Sequence, residues 1–333
     1  MKRVLKVLAG LILLTLGALV AAKIALARPT ANDGSPPRGY ANTQAMMAAY
    51  ALKELKLVDL NPHLPEGVAE RKDIEYGKVG QRPLLLDLFS PASTPKNVPG
   101  LIFIHGGGWK GGKRQDYRVY TTHFAKRGYV AATISYRLVP EAPFPACVED
   151  AKNAVRWMRS NAEALGIDPR RIAVIGGSAG GHLAMMVGYS SGLKELEGQG
   201  GYSEVSSSVS AVVNFYGPTD LTTPFALASG LVKALLQGKS YGEAPDLYRS
   251  ASPITHLHRG APPTLTFHGT LDEIVPIDQA DSLAAKLRSL QVAHEYERME
   301  GWPHTMDASQ TVNDYAKIKM EAFLLKHLGP LTP

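Results

Sequence analysis

Arg171-Ile172-Ala173-Val174-Ile175 runs directly into Gly176-Gly177-Ser178-Ala179-Gly180-Gly181, and that junction decides the fold. The first five residues read as a strand, apolar and β-branched. His182-Leu183-Ala184-Met185-Met186-Val187 reads as the helix that follows. Between them stands Gly-x-Ser-x-Gly, so the chain must turn sharply from strand to helix with a serine at the apex. A residue there sits in a strained backbone conformation, and its neighbours must be nearly free of side chains. The turn holds a hydroxyl above the sheet, open to substrate, over a helix N-terminus. The five-residue string alone is a weak signal; the strand before it and the helix after it give it weight.

A hydroxyl used as a nucleophile needs a base, and an attacked carbonyl needs donors for its negative charge. Upstream, Leu101-Ile102-Phe103-Ile104 leads into His105-Gly106-Gly107-Gly108-Trp109. Three glycines let the backbone approach a reacting carbon and turn its N–H groups inward. The N–H groups of Gly107, Gly108 and Ala179 are the expected oxyanion hole. No Gly-Lys-Ser/Thr follows, which argues against a phosphate-cradling loop. The two motifs together favour acyl transfer.

The acid and base are expected downstream in the order Ser, Asp or Glu, His. Pro263 to Asp272 is an apolar strand ending in a loop, and Asp272 stands where catalytic groups gather in parallel sheets. His294 to Met299 is a further strand, and His304 lies in the loop after it. Asp220, in Gly217-Pro218-Thr219-Asp220, is the rival acid, but reads equally as a turn and helix cap. Glu273 and Asp278 read as solvent-facing or capping. His182 falls on a helix face expected to be buried, and His105 is expected to brace the glycine loop. His256 and His258 lack a third ligand at sensible spacing, so no metal is expected. Trp109, Tyr136, Tyr216 and Trp302 adjoin these loops and are candidate pocket residues, although core packing would give the same pattern.

The chain resembles an α/β-hydrolase of the carboxylesterase type, similar to the esterase/lipase group that carries His-Gly-Gly-Gly before the nucleophile elbow. The resemblance covers roughly residues 73–328. It rests on His105 to Trp109, Ser135-Tyr136-Arg137-Leu138, Glu149-Asp150 through Trp157, Gly177 to Gly181, Tyr216 to Asp220, and His268 to Asp272. Around the acid, His268-Gly269-Thr270-Leu271-Asp272-Glu273-Ile274-Val275-Pro276 departs from the Asp-Pro-Leu-x-Asp pattern of hormone-sensitive-lipase-like members. It is more similar to the bifunctional acetylesterase/feruloyl-esterase-like group and to prolyl-oligopeptidase-type hydrolases. The resemblance implies a Ser178, Asp272, His304 triad, no cofactor, and an ester substrate among sugar acetates, feruloyl esters and short synthetic esters.

Strands alternating with helices predict a mostly parallel central sheet with helices on both faces. Expected helices cover Phe144–Ala164, a stretch from Ser178, Ile277–Leu290 and Ser309–His327. Ile74–Tyr76 and Leu84–Phe89 are expected to open the sheet in antiparallel fashion. Two stretches, 190–210 and 222–247, read as insertions or cap elements. Residues 65–333 suffice for one hydrolase domain. Residues 28–64 read as a linker, rich in Pro and Gly over Arg28–Gly39, and a helix over Tyr40–Leu57.

Lys2, Arg3 and Lys6 precede an uncharged run from Val7 to Ala22, and Ala25-Leu26-Ala27 offers a small-residue cleavage site. Residues 1–27 are therefore expected to be a signal peptide or an N-terminal membrane anchor. The domain would be exported, periplasmic or secreted, or else membrane-anchored through residues 4–27. Lys2, Arg3, Lys6 and Lys23 supply four of the six net positive charges. What remains gives no electrostatic case for nucleic acid as a partner. The lone cysteine, Cys147, reads as a small core residue. Two other functions fit the same residues: a peptidase or amidase, and a catalytically silent binding protein. The chain has no room for the propeller domain of oligopeptidases, and silent members of the fold typically lack a triad residue.

Overall fold

The computed structural model describes residues 34–93 and 96–331. Eight strands form one sheet: β1 (Val68–Val79), β2 (Arg82–Pro91), β3 (Val98–Ile104), β4 (Val130–Ile134), β5 (Ile167–Gly177), β6 (Ala211–Phe215), β7 (Thr264–Gly269) and β8 (His294–Met299). Their order is β1-β2-β4-β3-β5-β6-β7-β8. β2 pairs antiparallel with both β1 and β4, and every pairing from β4 through β3 to β8 is parallel. The expected antiparallel opening and parallel centre are both present.

Alternation along the central strands builds two cores. Ile102, Ile104, Val174 and Val212 face one way, into a cluster with helices Ala146–Ser160, Ala179–Tyr189 and Asp278–Ser289. Leu101, Phe103, Ala173, Ile175, Val213, Phe215, Leu265 and Phe267 face the other way. That second cluster is closed by helices Arg118–Lys126 and Gln310–Leu328. Burial on both faces explains why β3 reads as a continuous apolar run with every residue buried.

Two expectations shift in detail. The N-terminal helix spans Thr43–Ala51, shorter than expected. Asn42 caps it by accepting from the Ala45 N–H at 2.9 Å. The apolar spacing continues beyond it, but Lys53 adopts a φ of 61° and turns the chain. The stretch from Lys56 to Val58 then lies beside 308–310, tied by Val58 N–H to Ala308 O and Gln310 N–H to Lys56 O, both 2.9 Å.

The 190–210 stretch is a docked loop rather than a cover over the sheet's C-terminal edge. Its Glu197 accepts from Lys152 at 3.0 Å and Arg156 at 2.7 Å, and Ser190 O accepts from Lys152 at 2.6 Å. Lys152 and Arg156 are buried in the helix beneath, where an unpaired charge would be costly, so the loop is held by their need for partners. The 222–247 stretch carries the short helices Pro224–Ala228 and Gly230–Leu235, and its Leu231 reaches the glycine loop. Residues 1–27, expected to be a signal or anchor, lie outside the described residues. No described helix is long and apolar enough to cross a membrane.

Candidate active site

Ser178 follows β5 with φ 55° and ψ −121°, the strained geometry that the flanking glycines anticipate. A Cβ on Gly176 would land on the carbonyl of Gly180, and one on Gly180 would land on Ile104 O. Any larger residue at either position would push the elbow off the sheet. The Ser178 N–H donates to Phe215 O at 2.8 Å, which fixes the apex against β6.

Three side chains from three strand ends meet there. His304 Nε2 lies 2.9 Å from Ser178 Oγ, and His304 Nδ1 lies 2.6 Å from Asp272 Oδ2. Asp272 Oδ1 accepts from the N–H groups of Ile274 at 2.9 Å and Val275 at 2.8 Å. His268 Nε2 donates to Val275 O at 2.8 Å and lies 3.3 Å from Asp272 Oδ2. Burial pushes the Asp272 carboxyl up, but hydrogen bonds with His268, His304 and the Val275 N–H outweigh it and hold it at about 2. An ionised carboxylate on Nδ1 orients the ring so that Nε2 can accept the serine proton.

A pKa lowered in the folded state stabilises the fold above the ordinary carboxylate value, and that stability is lost as pH falls through about 2. The Asp272 contribution at neutral pH is about 2–3 kcal/mol. Urea unfolding midpoints of the wild type and Asp272→Asn are therefore expected to converge as pH falls from about 4 towards 2. A gap that stays constant over that window would contradict the assignment.

Gly107 and Gly108 have φ of 110° and 60°, conformations that favour glycine. Among the described residues, the N–H groups of Gly107 and Gly108 donate to no carbonyl, and Ala179 is the first residue of its helix, where intrahelical acceptors end. Gly106, Gly107 and Gly108 share with Ser178 and His304 a cavity of about 430 Å³. Three donors beside a serine can stabilise a tetrahedral oxyanion.

The expected pocket aromatics separate. Tyr216 lines this cavity, with its ring centroid 4.6 Å from that of His304. Trp302 is buried, donates to Pro37 O at 2.7 Å and borders a second, neighbouring cavity. The expectation for Trp109 and Tyr136 is corrected: both are core residues. Trp109 has a φ of 58° and points its indole N–H at His182 Nδ1, 3.2 Å away, while the Tyr136 hydroxyl donates to His105 O at 2.9 Å. Sequence adjacency to the glycine loop does not reveal which way the backbone turns a ring.

The rivals have structural partners. Asp220 Oδ1 accepts from the Thr222 N–H at 2.8 Å and its hydroxyl at 2.6 Å, a local turn. His182 is fully buried, donates to Ala251 O at 2.8 Å, and is lowered to about 4 by that burial. His105 stacks on Tyr136 with ring centroids 4.4 Å apart. Cys147 is buried, and burial pushes its thiol up to about 12, away from nucleophile chemistry. Among the described residues no cluster of three or more His, Cys, Asp or Glu side chains could hold a metal.

Asp307, Tyr117 and Tyr120 also line the cavity, and sequence reading missed them. The hydroxyls of Tyr216 and Tyr120 both donate to Asp307, the latter at 3.0 Å, and burial pushes the Asp307 carboxyl up. The one available signal was Asp307 standing three residues after His304. Its tyrosine partners lie far away in the chain, so no local pattern joins them.

This strand order, with the serine elbow at its centre, is the α/β-hydrolase arrangement, here of the carboxylesterase type. The BD-FAE family model matches residues 86–287, more than half of the chain, and the chain belongs to that family. It is 33% identical over 262 residues to Esterase LipQ of Mycobacterium tuberculosis, covering 75% of this chain and 62% of the relative. The chain thus spans about three fifths of the length of the curated relatives it matches. Among solved structures, esterase 2 of Thermogutta terrifontis superposes with a TM-score of 0.69 at 29% identity, covering 83% of this chain and all of that one. A truncated carbohydrate esterase from gut microbiota superposes at 0.67 with 25% identity, covering 79% and 97% of the two chains.

Proposed function

We propose that the chain is a serine carboxylesterase acting on short-chain acyl esters. The observation that carries this reading is the hydrogen-bonded series Ser178–His304–Asp272 in a cavity that Gly107 and Gly108 also line, with the N–H groups of Gly107, Gly108 and Ala179 as the oxyanion donors this reading requires. His304, oriented by Asp272, takes the proton from Ser178 as its oxygen attacks the ester carbonyl. The three N–H groups hold the oxyanion, a contribution of about 3–4 kcal/mol per donor in comparable sites. Collapse expels the alcohol, which takes its proton from His304. Water then attacks the acyl-enzyme by the same route. No cofactor enters these steps.

A short acyl group is supported by Leu231, whose Cδ1 would lie 2.9 Å from a Cβ on Gly108 and so crowds that side of the cavity. The esterase relatives support ester substrates in general. Sugar acetates and feruloyl esters are the natural candidates that the family resemblance brings. An exported or membrane-anchored location, through residues 1–27, is part of the same proposal.

The test is a series of p-nitrophenyl esters from acetate to decanoate, with the Ser178→Ala variant beside the wild type. Turnover is expected to be greatest at the short acyl groups and to disappear in the variant. Equal turnover by both proteins would refute the reading.

A further inference from the structure

A second cavity, of about 250 Å³, adjoins the first and shares His304, Thr305 and Ala308 with it. Its walls are mostly apolar, with the polar groups of Tyr50, His304, Thr305 and Ser309 among them. Met46 and Leu55 form the inner side, and Met47, Tyr50 and Leu57 form the rim with 57%, 51% and 52% of their surfaces exposed. Among the described residues, no Lys, Arg, Asp or Glu borders it. The groove exists because the Thr43–Ala51 helix and the 56–58 stretch, tied to 308–310, flank the loop that carries His304. Leu60, 46% exposed, lines the first cavity just beyond Leu57 and continues the apolar surface between the two.

We propose that this groove binds the hydrocarbon part of the substrate's alcohol, so that the enzyme prefers short acyl esters of long-chain alkyl alcohols. The inference rests on the esterase reading and deepens it. The imidazole that takes the Ser178 proton must return it to the departing alkoxide, so the alcohol oxygen lies against His304 Nε2. The acyl group then lies on the opposite side, towards Gly108 and Leu231. A tail leaving the alcohol oxygen past His304 and Thr305 enters the groove, where burying methylenes is favourable. There, among the described residues, a sugar's hydroxyls would meet only Tyr50, His304, Thr305 and Ser309 as polar partners on an otherwise apolar wall.

The test uses the full chain and compares ethyl, butyl, hexyl and octyl acetate, each below its solubility limit. For the wild type, kcat/KM is expected to rise with alcohol length by up to about fourfold per methylene, through KM. Met47→Asp and Leu57→Asp are each expected to cut the octyl-to-ethyl ratio at least about tenfold. Ile318→Asp, on the exposed face of the last helix, is the control that keeps the wild-type ratio. A flat wild-type series would overturn the proposal. So would ethyl octanoate outrunning octyl acetate, a methyl glucoside acetate outrunning both, or groove variants with an unchanged ratio. If none of these esters is cleaved in a Ser178-dependent way, the esterase reading fails and this one with it. A flat series with Ser178-dependent cleavage sinks the groove alone.

Discussion

Ser178→Ala is expected to lower kcat/KM on p-nitrophenyl acetate by at least about a thousandfold while the protein keeps its fold. The loss falls on kcat, because the Oγ forms a bond only during the reaction and contributes little to ground-state binding. Folding is spared for a structural reason. Among the described residues the Oγ contacts only His304 within hydrogen-bond distance, whereas the elbow is held by the Ser178 N–H on Phe215 O and by the close approach of Gly180 to β3. An unchanged thermal transition beside the collapsed rate would separate chemistry from stability. His304→Ala should fall by a similar factor, and the double variant no further, since the two residues act as one unit.

Asp272→Asn is the second large effect, with an expected loss of about ten thousandfold in kcat. An asparagine can keep the position but would offer an amide N–H to His304 Nδ1. The ring would then carry its proton on the wrong nitrogen, and Nε2 could not accept from Ser178. Asp220→Asn supplies the contrast. Among the described residues its carboxylate accepts only from Thr222 in the same turn, so the substitution is expected to leave kcat within about twofold and to cost at most about 1 kcal/mol of stability. Reversed results for the two aspartates, read from initial rates on the same ester, would move the acid from β7 to β6.

The parts of the site legible in the sequence were those dictated by backbone geometry. A serine between glycines after an apolar strand has few structural readings. Asp272 and His304 followed because groups at successive strand ends converge in a parallel sheet. Side-chain direction was not legible. Trp109 adjoins the glycine loop yet turns its ring onto His182, because its own backbone takes a left-handed conformation. The Tyr120–Asp307 contact spans 187 residues of chain, and no local periodicity encodes it. Strand limits blurred where polar residues continue a strand: β5 begins at Ile167, because Asp168, Pro169 and Arg170 extend beyond the apolar core. Even the shortened Thr43–Ala51 helix follows this rule. Apolar spacing recorded which residues pack against the domain, and the turn at Lys53 decided where the helix stops.

Covalent capture shows whether Ser178 is the nucleophile. Paraoxon is an organophosphate that phosphorylates an activated nucleophile. Incubating the full chain with paraoxon, digesting it and weighing the peptides is expected to give one diethyl phosphate on the peptide containing Ser178. Ester hydrolysis should fall in step with labelling, and Ser178→Ala should take up none. A label on any other residue, or full ester turnover after Ser178 is blocked, would contradict the account.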